Sequence, residues 1–130
     1  MPGGVLLDSE GLSKLYRKDR GVVALVEAAR REGIRVGTTV MTVLEADDER
    51  VHPARINWVL SRIDVHDITR ALMGEAAALL REHRLRGHKY AIDAVLAALA
   101  RTSAAPVTLV TSDPEDLTLL CGPGVEVIKV

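Results

Sequence analysis

A chain of 130 residues, 48% hydrophobic and 27% charged, has the size and balance of one globular domain, which excludes a disordered or fibrous class. Seventeen basic and 18 acidic residues leave a formal charge of -1, so the surface as a whole does not attract nucleic acid and any such binding needs a local patch. With only Tyr16, Trp58 and Tyr90 as aromatics and a lone Cys121, aliphatic side chains must fill the core, and a base-stacking sheet, an internal disulfide and a multi-cysteine zinc site are all disfavoured.

Met1 to Leu7 shows no basic stretch followed by a long apolar run, and no segment approaches the roughly 18 uninterrupted apolar residues of a membrane span. The expectation is a soluble, cytoplasmic protein with a single domain over residues 1–130. Val5-Leu6-Leu7 reads as a short buried strand ending at Asp8, and Ser9 to Tyr16 can begin a helix. Gly21 to Glu32 has apolar residues at helical spacing, closes with Arg30-Arg31 and meets Gly33 at a C-terminal cap. Ile34-Arg35-Val36 suits a second strand. Thr39 to Asp48 reads as a helix with Val40, Val43 and Leu44 towards the core, and Pro53 opens another through Ile63 with Trp58 and Leu60 on its buried side. A longer amphipathic helix follows from Ile68 to His83, then a basic connection carrying Arg84, Arg86, His88 and Lys89. Tyr90 to Arg101 is Ala-rich and helical, Val107 to Val110 is a strand, Asp113-Pro114 starts a short helix, and Val125 to Val130 makes a final strand. Strands alternating with helices predict an α/β sandwich on a parallel sheet, with ligands beyond the carboxyl ends of the strands.

Four acids stand out against this pattern. Asp8 follows the first strand, where it either caps the next helix or lines the rim of the sheet. Glu45 shares a helical face with Thr39 and Thr42, although Asp47, Asp48 and Glu49 beside it also fit a solvated acidic helix end. Asp93 is the sole charge in the apolar run Ala91-Ile92-Asp93-Ala94-Val95-Leu96-Ala97, where a buried carboxylate needs an ion pair, hydrogen bonds or a metal; a half-exposed position near the start of the helix is the other reading. Asp113 opens Asp113-Pro114-Glu115-Asp116, a complete helix-start signature, yet it also arrives at the same sheet edge as Asp8. Dozens of residues separate the four, so only the fold can unite them. Hard divalent cations prefer carboxylate oxygens, and magnesium keeps water and substrate phosphate in its remaining positions, so four acids at a rim suit phosphodiester hydrolysis.

Taken in order, Val5-Leu6-Leu7-Asp8-Ser9, Thr39 to Glu45, Ala91 to Ala97 and Leu109 to Leu117 resemble the PIN domain family, more closely its VapC-type ribonuclease toxins from toxin–antitoxin pairs. The resemblance spans nearly the whole chain. It implies a PIN-like three-layer α/β/α sandwich with a central, mainly parallel sheet. It implies a metal-dependent endoribonuclease in which Asp8, Glu45, Asp93 and Asp113 gather around Mg2+ or Mn2+, with Asp8 and Asp93 as direct ligands. Asp116 assists and Thr111 or Ser112 orients the set. Cleavage leaving a 5′-phosphate, a cognate antitoxin and a homodimer are further implications. One departure is Leu117, where many relatives place an aromatic. Arg81, Arg84, Arg86, His88 and Lys89 precede the Asp93 helix and suit an RNA phosphate grip, or else form a solvated basic loop. The competing reading is a catalytically silent PIN-like module that binds RNA or protein.

Overall fold

The fold is known from a computed structural model that describes residues 4–130, so the reading of Met1 to Leu7 as free of a targeting segment falls partly outside the described residues. Five strands, β1 (Gly4–Leu7), β2 (Arg35–Thr39), β3 (Asp64–His66), β4 (Val107–Thr111) and β5 (Glu126–Lys129), form one sheet in the order β3-β2-β1-β4-β5. Every neighbouring pair is parallel. Seven helices connect them: α1 (Ser9–Tyr16), α2 (Arg20–Arg31), α3 (Val40–Ala46), α4 (Pro53–Ser61), α5 (Arg70–Glu82), α6 (Gly87–Thr102) and α7 (Pro114–Cys121). Among the described residues, no helix is long and apolar enough to cross a membrane.

The alternation of side chains along β1 divides the core in two. Val5 and Leu7 join Leu12, Leu15, Val22, Val26 and Val59 on the face covered by α1, α2 and α4. Leu6 joins Leu79, Leu96, Leu109, Leu117 and Leu120 on the face covered by α5, α6 and α7. The result is the expected three-layer α/β/α sandwich. Leu117 is fully buried in the second core, so an aliphatic side chain fills the position where an aromatic was expected.

The chain steps outward from β1 through β2 to β3, then returns to the other side of β1 for β4 and β5. Strand order therefore reverses between β1 and β4, and a crevice opens beyond their carboxyl ends where the connections leave in opposite directions. Asp8 and Asp113 follow the carboxyl ends of β1 and β4, at this reversal.

Four expectations need correction. β2 runs on to Thr39, pairing Thr38 with Val65 and Thr39 with His66, so the helix begins only at Val40 with Thr39 as its cap. Strand β3 was read as part of the connection between two helices, because three residues, none of them buried, show no alternation. On α3 only Val43 of the three expected core residues packs against the core: Val40 is 39% and Leu44 70% exposed, while Thr42 and Ala46 are buried. Trp58, at 45% exposure, also lies on the surface, its ring between the guanidinium groups of Arg55 at 5.1 Å and Arg62 at 4.6 Å; the buried residue of α4 is Val59.

Candidate functional site

Asp8 continues β1 by one residue, its amide donating to the Val110 carbonyl at 3.1 Å, and is only 7% exposed. Its Oδ1 accepts from the Gly11 amide at 2.7 Å, so Asp8 caps α1 and lines the sheet rim at once; the two readings of this residue are compatible. The close seating of α1 explains Gly11, which no sequence reading singled out: a Cβ there meets the Val110 carbonyl oxygen at 3.1 Å and Asp8 Oδ1 at 3.4 Å. A glycine three residues after the acid, inside a helix that disfavours it, was the available signal. Burial pushes the Asp8 carboxyl above its ordinary value, while the Thr111 hydroxyl and the amides of Gly11 and Glu10 pull the other way.

Asp93 sits near the middle of α6 and is half-buried. Its carboxyl is pushed up to about 6, first by burial and then by the negative charges of Asp8, Glu45, Asp116 and Asp113. Those four residues arrive from the end of β1, from α3 and from the two sides of the β4–α7 turn, so the fold brings the whole acidic set within electrostatic reach of one carboxyl. Glu45 and Asp113 are exposed, and Asp116 lies in the first turn of α7, partly buried. Among the described residues, the ion pairs are Arg35–Asp64 and Arg50–Asp48, and neither neutralises any of the five acids. Nor, among the described residues, do three Asp, Glu, His or Cys side chains converge tightly enough to form a finished metal cage. The donors are all oxygen, and Glu45 and Asp113 are solvent-exposed. That suits a hard cation which keeps part of its water shell, as magnesium does, better than a closed structural site.

The β4–α7 turn is organised by Thr111 rather than by Asp113. Thr111 is fully buried, and its Oγ1 accepts from the Asp113 amide at 3.0 Å. Its hydroxyl hydrogen has two acceptors in reach, the Asp113 carbonyl at 3.3 Å and the Asp8 carboxylate. Asp113 occupies the N-cap position of α7 but makes no side-chain capping bond, so the helix-start signature does not consume its carboxylate. The Ser112 hydroxyl is buried and has no hydrogen-bond partner.

The five basic candidates do not all lie in a loop. Arg81 is in the last turn of α5 and Arg84 follows it with φ of 55°, whereas Arg86 is the N-cap residue of α6 and His88 and Lys89 belong to its first turn. All five are exposed. Lys89 lies one helical turn before Asp93, on the same side of α6, and its ammonium group rests 5.2 Å from the centre of the Tyr90 ring. The α6 terminus has no side-chain cap, which leaves its amides among these cations.

No family model matches the sequence, and no curated protein matches it significantly. Solved structures do match by fold. One chain of the VapBC2 complex from Rickettsia felis, bound to a DNA fragment from its promoter, superposes with a TM-score of 0.71 at 14% identity over 97% of this chain and 98% of that one. A chain of a toxin–antitoxin complex from Klebsiella pneumoniae gives 0.68 at 21% identity over 94% and 95%. The parallel five-stranded sandwich described above is thus the fold of a component of these toxin–antitoxin complexes, end to end.

Proposed function

We propose that the chain is a divalent-metal-dependent endoribonuclease and the toxin of a toxin–antitoxin pair, with Asp8, Glu45, Asp93, Asp113 and Asp116 as its acidic pocket. The observation that carries this reading is the unneutralised charge around Asp93, since four carboxylates within electrostatic reach of a fifth, none of them in an ion pair among the described residues, favour a bound cation. Asp8 and Asp93, the more buried pair, are the direct ligands. Glu45, Asp113 and Asp116 hold outer positions through water. Bound magnesium or manganese supplies Lewis acidity towards water and the phosphoryl oxygens at neutral pH.

The chain's own groups do the positioning. Gly11 and Thr111 fix the Asp8 carboxylate from two sides. Arg81, Arg84, Arg86, His88 and Lys89, with the uncapped end of α6, hold RNA phosphates about one turn from Asp93. A cognate antitoxin is the protein partner, and the chain assembles as a homodimer; the fold shared with two toxin–antitoxin complexes supports the first of these.

The test is cleavage of total cellular RNA by purified, antitoxin-free protein with magnesium, manganese or EDTA, beside folded Asp8→Asn and Asp93→Asn variants. Metal-dependent cutting that leaves 5′-phosphate ends and is lost in both variants is the expected outcome. The lack of a finished three-ligand cage among the described residues favours one other reading, a catalytically silent PIN-like module that binds RNA or protein. Folded protein that takes up no manganese and cuts no RNA selects it.

A further inference from the structure

Three hydroxyl groups at the carboxyl end of β2 have no part in the acidic pocket itself, yet they are among the most deeply buried polar groups of the protein. Thr38, Thr39 and Thr42 are each fully inaccessible. A buried hydroxyl is costly unless it is hydrogen-bonded, and valine would fill nearly the same space without that cost, so three such residues within five positions mark a geometry that hydroxyls are needed to hold.

Their bonds run from one acid to another. Thr38 Oγ1 donates to the carbonyl oxygen of Leu7 at 2.7 Å, pinning β2 to the residue immediately before Asp8. Thr39 Oγ1 accepts from the Thr42 amide at 3.1 Å, capping α3, and shares a second hydrogen bond of 3.1 Å with Thr42 Oγ1. Helix α3 has seven residues and turns Val40 and Leu44 to the outside, so its apolar hold is limited to Ala46 and the half-buried Val43. The hydroxyl cluster is its polar attachment. Glu45 follows Thr42 by three positions, on the adjoining turn.

We propose that Thr38, Thr39 and Thr42 are positioning residues that fix the backbone of Asp8 relative to that of Glu45, and thereby set the divalent-cation affinity of the pocket. The inference rests on the metal reading given above and adds to it the polar groups behind the acids, the kind of outer-shell support whose loss typically weakens metal binding by about 10- to 100-fold.

The test is Mn2+ affinity of the full chain, read from the electron paramagnetic resonance of free Mn2+ at a temperature well below unfolding. Thr38→Val and Thr42→Val, which keep shape and lose the hydroxyl, are each expected to weaken binding by about tenfold or more. Thr38→Ser and Thr42→Ser, which keep the hydroxyl, are expected to stay within about twofold of wild type. Thr42→Ala replaces Thr42→Val if the latter does not fold. Val26→Ala serves as the control, because it loosens the core under α2, a helix that carries none of the acids, and is expected to leave the affinity of folded protein unchanged. Valine variants that bind as wild type overturn the positioning role and leave the metal reading standing, as does Val26→Ala weakening binding as much as they do. Wild-type protein that binds no Mn2+ overturns both.

Discussion

Asp93→Asn is the substitution whose consequences reach furthest, because it removes one charge from a pocket that holds too many. In the folded protein the Asp93 carboxyl titrates at about 6 against 3.8 for the free group. That displacement corresponds to about 3 kcal/mol of penalty on the ionised form, which the solvent still reaching this partly buried group reduces to about 2 kcal/mol. Between those two pH values the native state holds more protons than the unfolded chain, so its stability falls as pH rises. The contribution of Asp93 is fully present below 3.8 and is lost as pH climbs through about 6. Asparagine keeps the shape and has no such dependence. In EDTA, urea unfolding at pH 7.5 should therefore find Asp93→Asn more stable than wild type by about 2 kcal/mol, a rise of several degrees in Tm for a domain of this size. The gap should shrink steadily on the way to pH 4.5. Saturating Mn2+ should reverse the order, since binding stabilises only the protein that binds it. A variant less stable than wild type at pH 7.5 in EDTA, or a gap indifferent to pH, refutes the picture of Asp93 facing four uncompensated charges.

Three further outcomes follow from separate parts of the structure. Gly11→Ala should destabilise the protein by about 1–3 kcal/mol in urea unfolding, because its Cβ presses on the Val110 carbonyl, which is backbone and cannot rotate away; it should also weaken Mn2+ binding through Asp8. Reversing charge with Arg84→Glu and Arg86→Glu in an Asp93→Asn background should lower affinity for single-stranded RNA in filter binding and reduce the salt slope by about 1 to 2, and an unchanged slope assigns these residues to a solvated surface. Cys121 is buried and its thiol is pushed up to about 11, chiefly by that burial, so native protein at pH 8 should react with a disulfide reagent only as fast as it opens. Immediate stoichiometric labelling contradicts that placement.

Much of the architecture was legible because local and global preferences agree along most of the chain. The α1 limits, the Arg30-Arg31 close of α2 before Gly33 with φ of 71°, and Pro53 at the start of α4 follow from capping and periodicity alone. The failures cluster where one residue type serves two environments. Thr39 read as the start of a helix, and it is indeed the cap; it nevertheless belongs with Thr38 to β2, where β-branched side chains pack well. Val40 and Leu44 were assigned to the core on hydrophobicity, but α3 is anchored through its threonines, Val43 and Ala46, and those two residues face outward. Trp58 was placed inside for the same reason, and two flanking guanidinium groups give its ring a surface setting instead.

The acids show a different limit. Asp8, Glu45 and Asp113 each had a local explanation sufficient on its own terms, and local explanation is what a sequence offers. For Asp8 that explanation is true and incomplete, because the carboxylate that caps α1 also lies within electrostatic reach of Asp93. For Asp113 it is misleading, because the residue holds the N-cap position without a side-chain capping bond, while its own amide donates to Thr111 Oγ1. Asp93 alone lacked a comfortable local reading within its apolar run, and it is the residue whose titration registers all the others. Capping and burial are decided within a few residues, whereas repulsion among five carboxylates depends on strand order, above all on the reversal that sets β1 beside β4. A charge that satisfies no neighbour in the sequence is therefore the position from which a nonlocal site is best sought, since its cost must be met by something the fold brings from elsewhere.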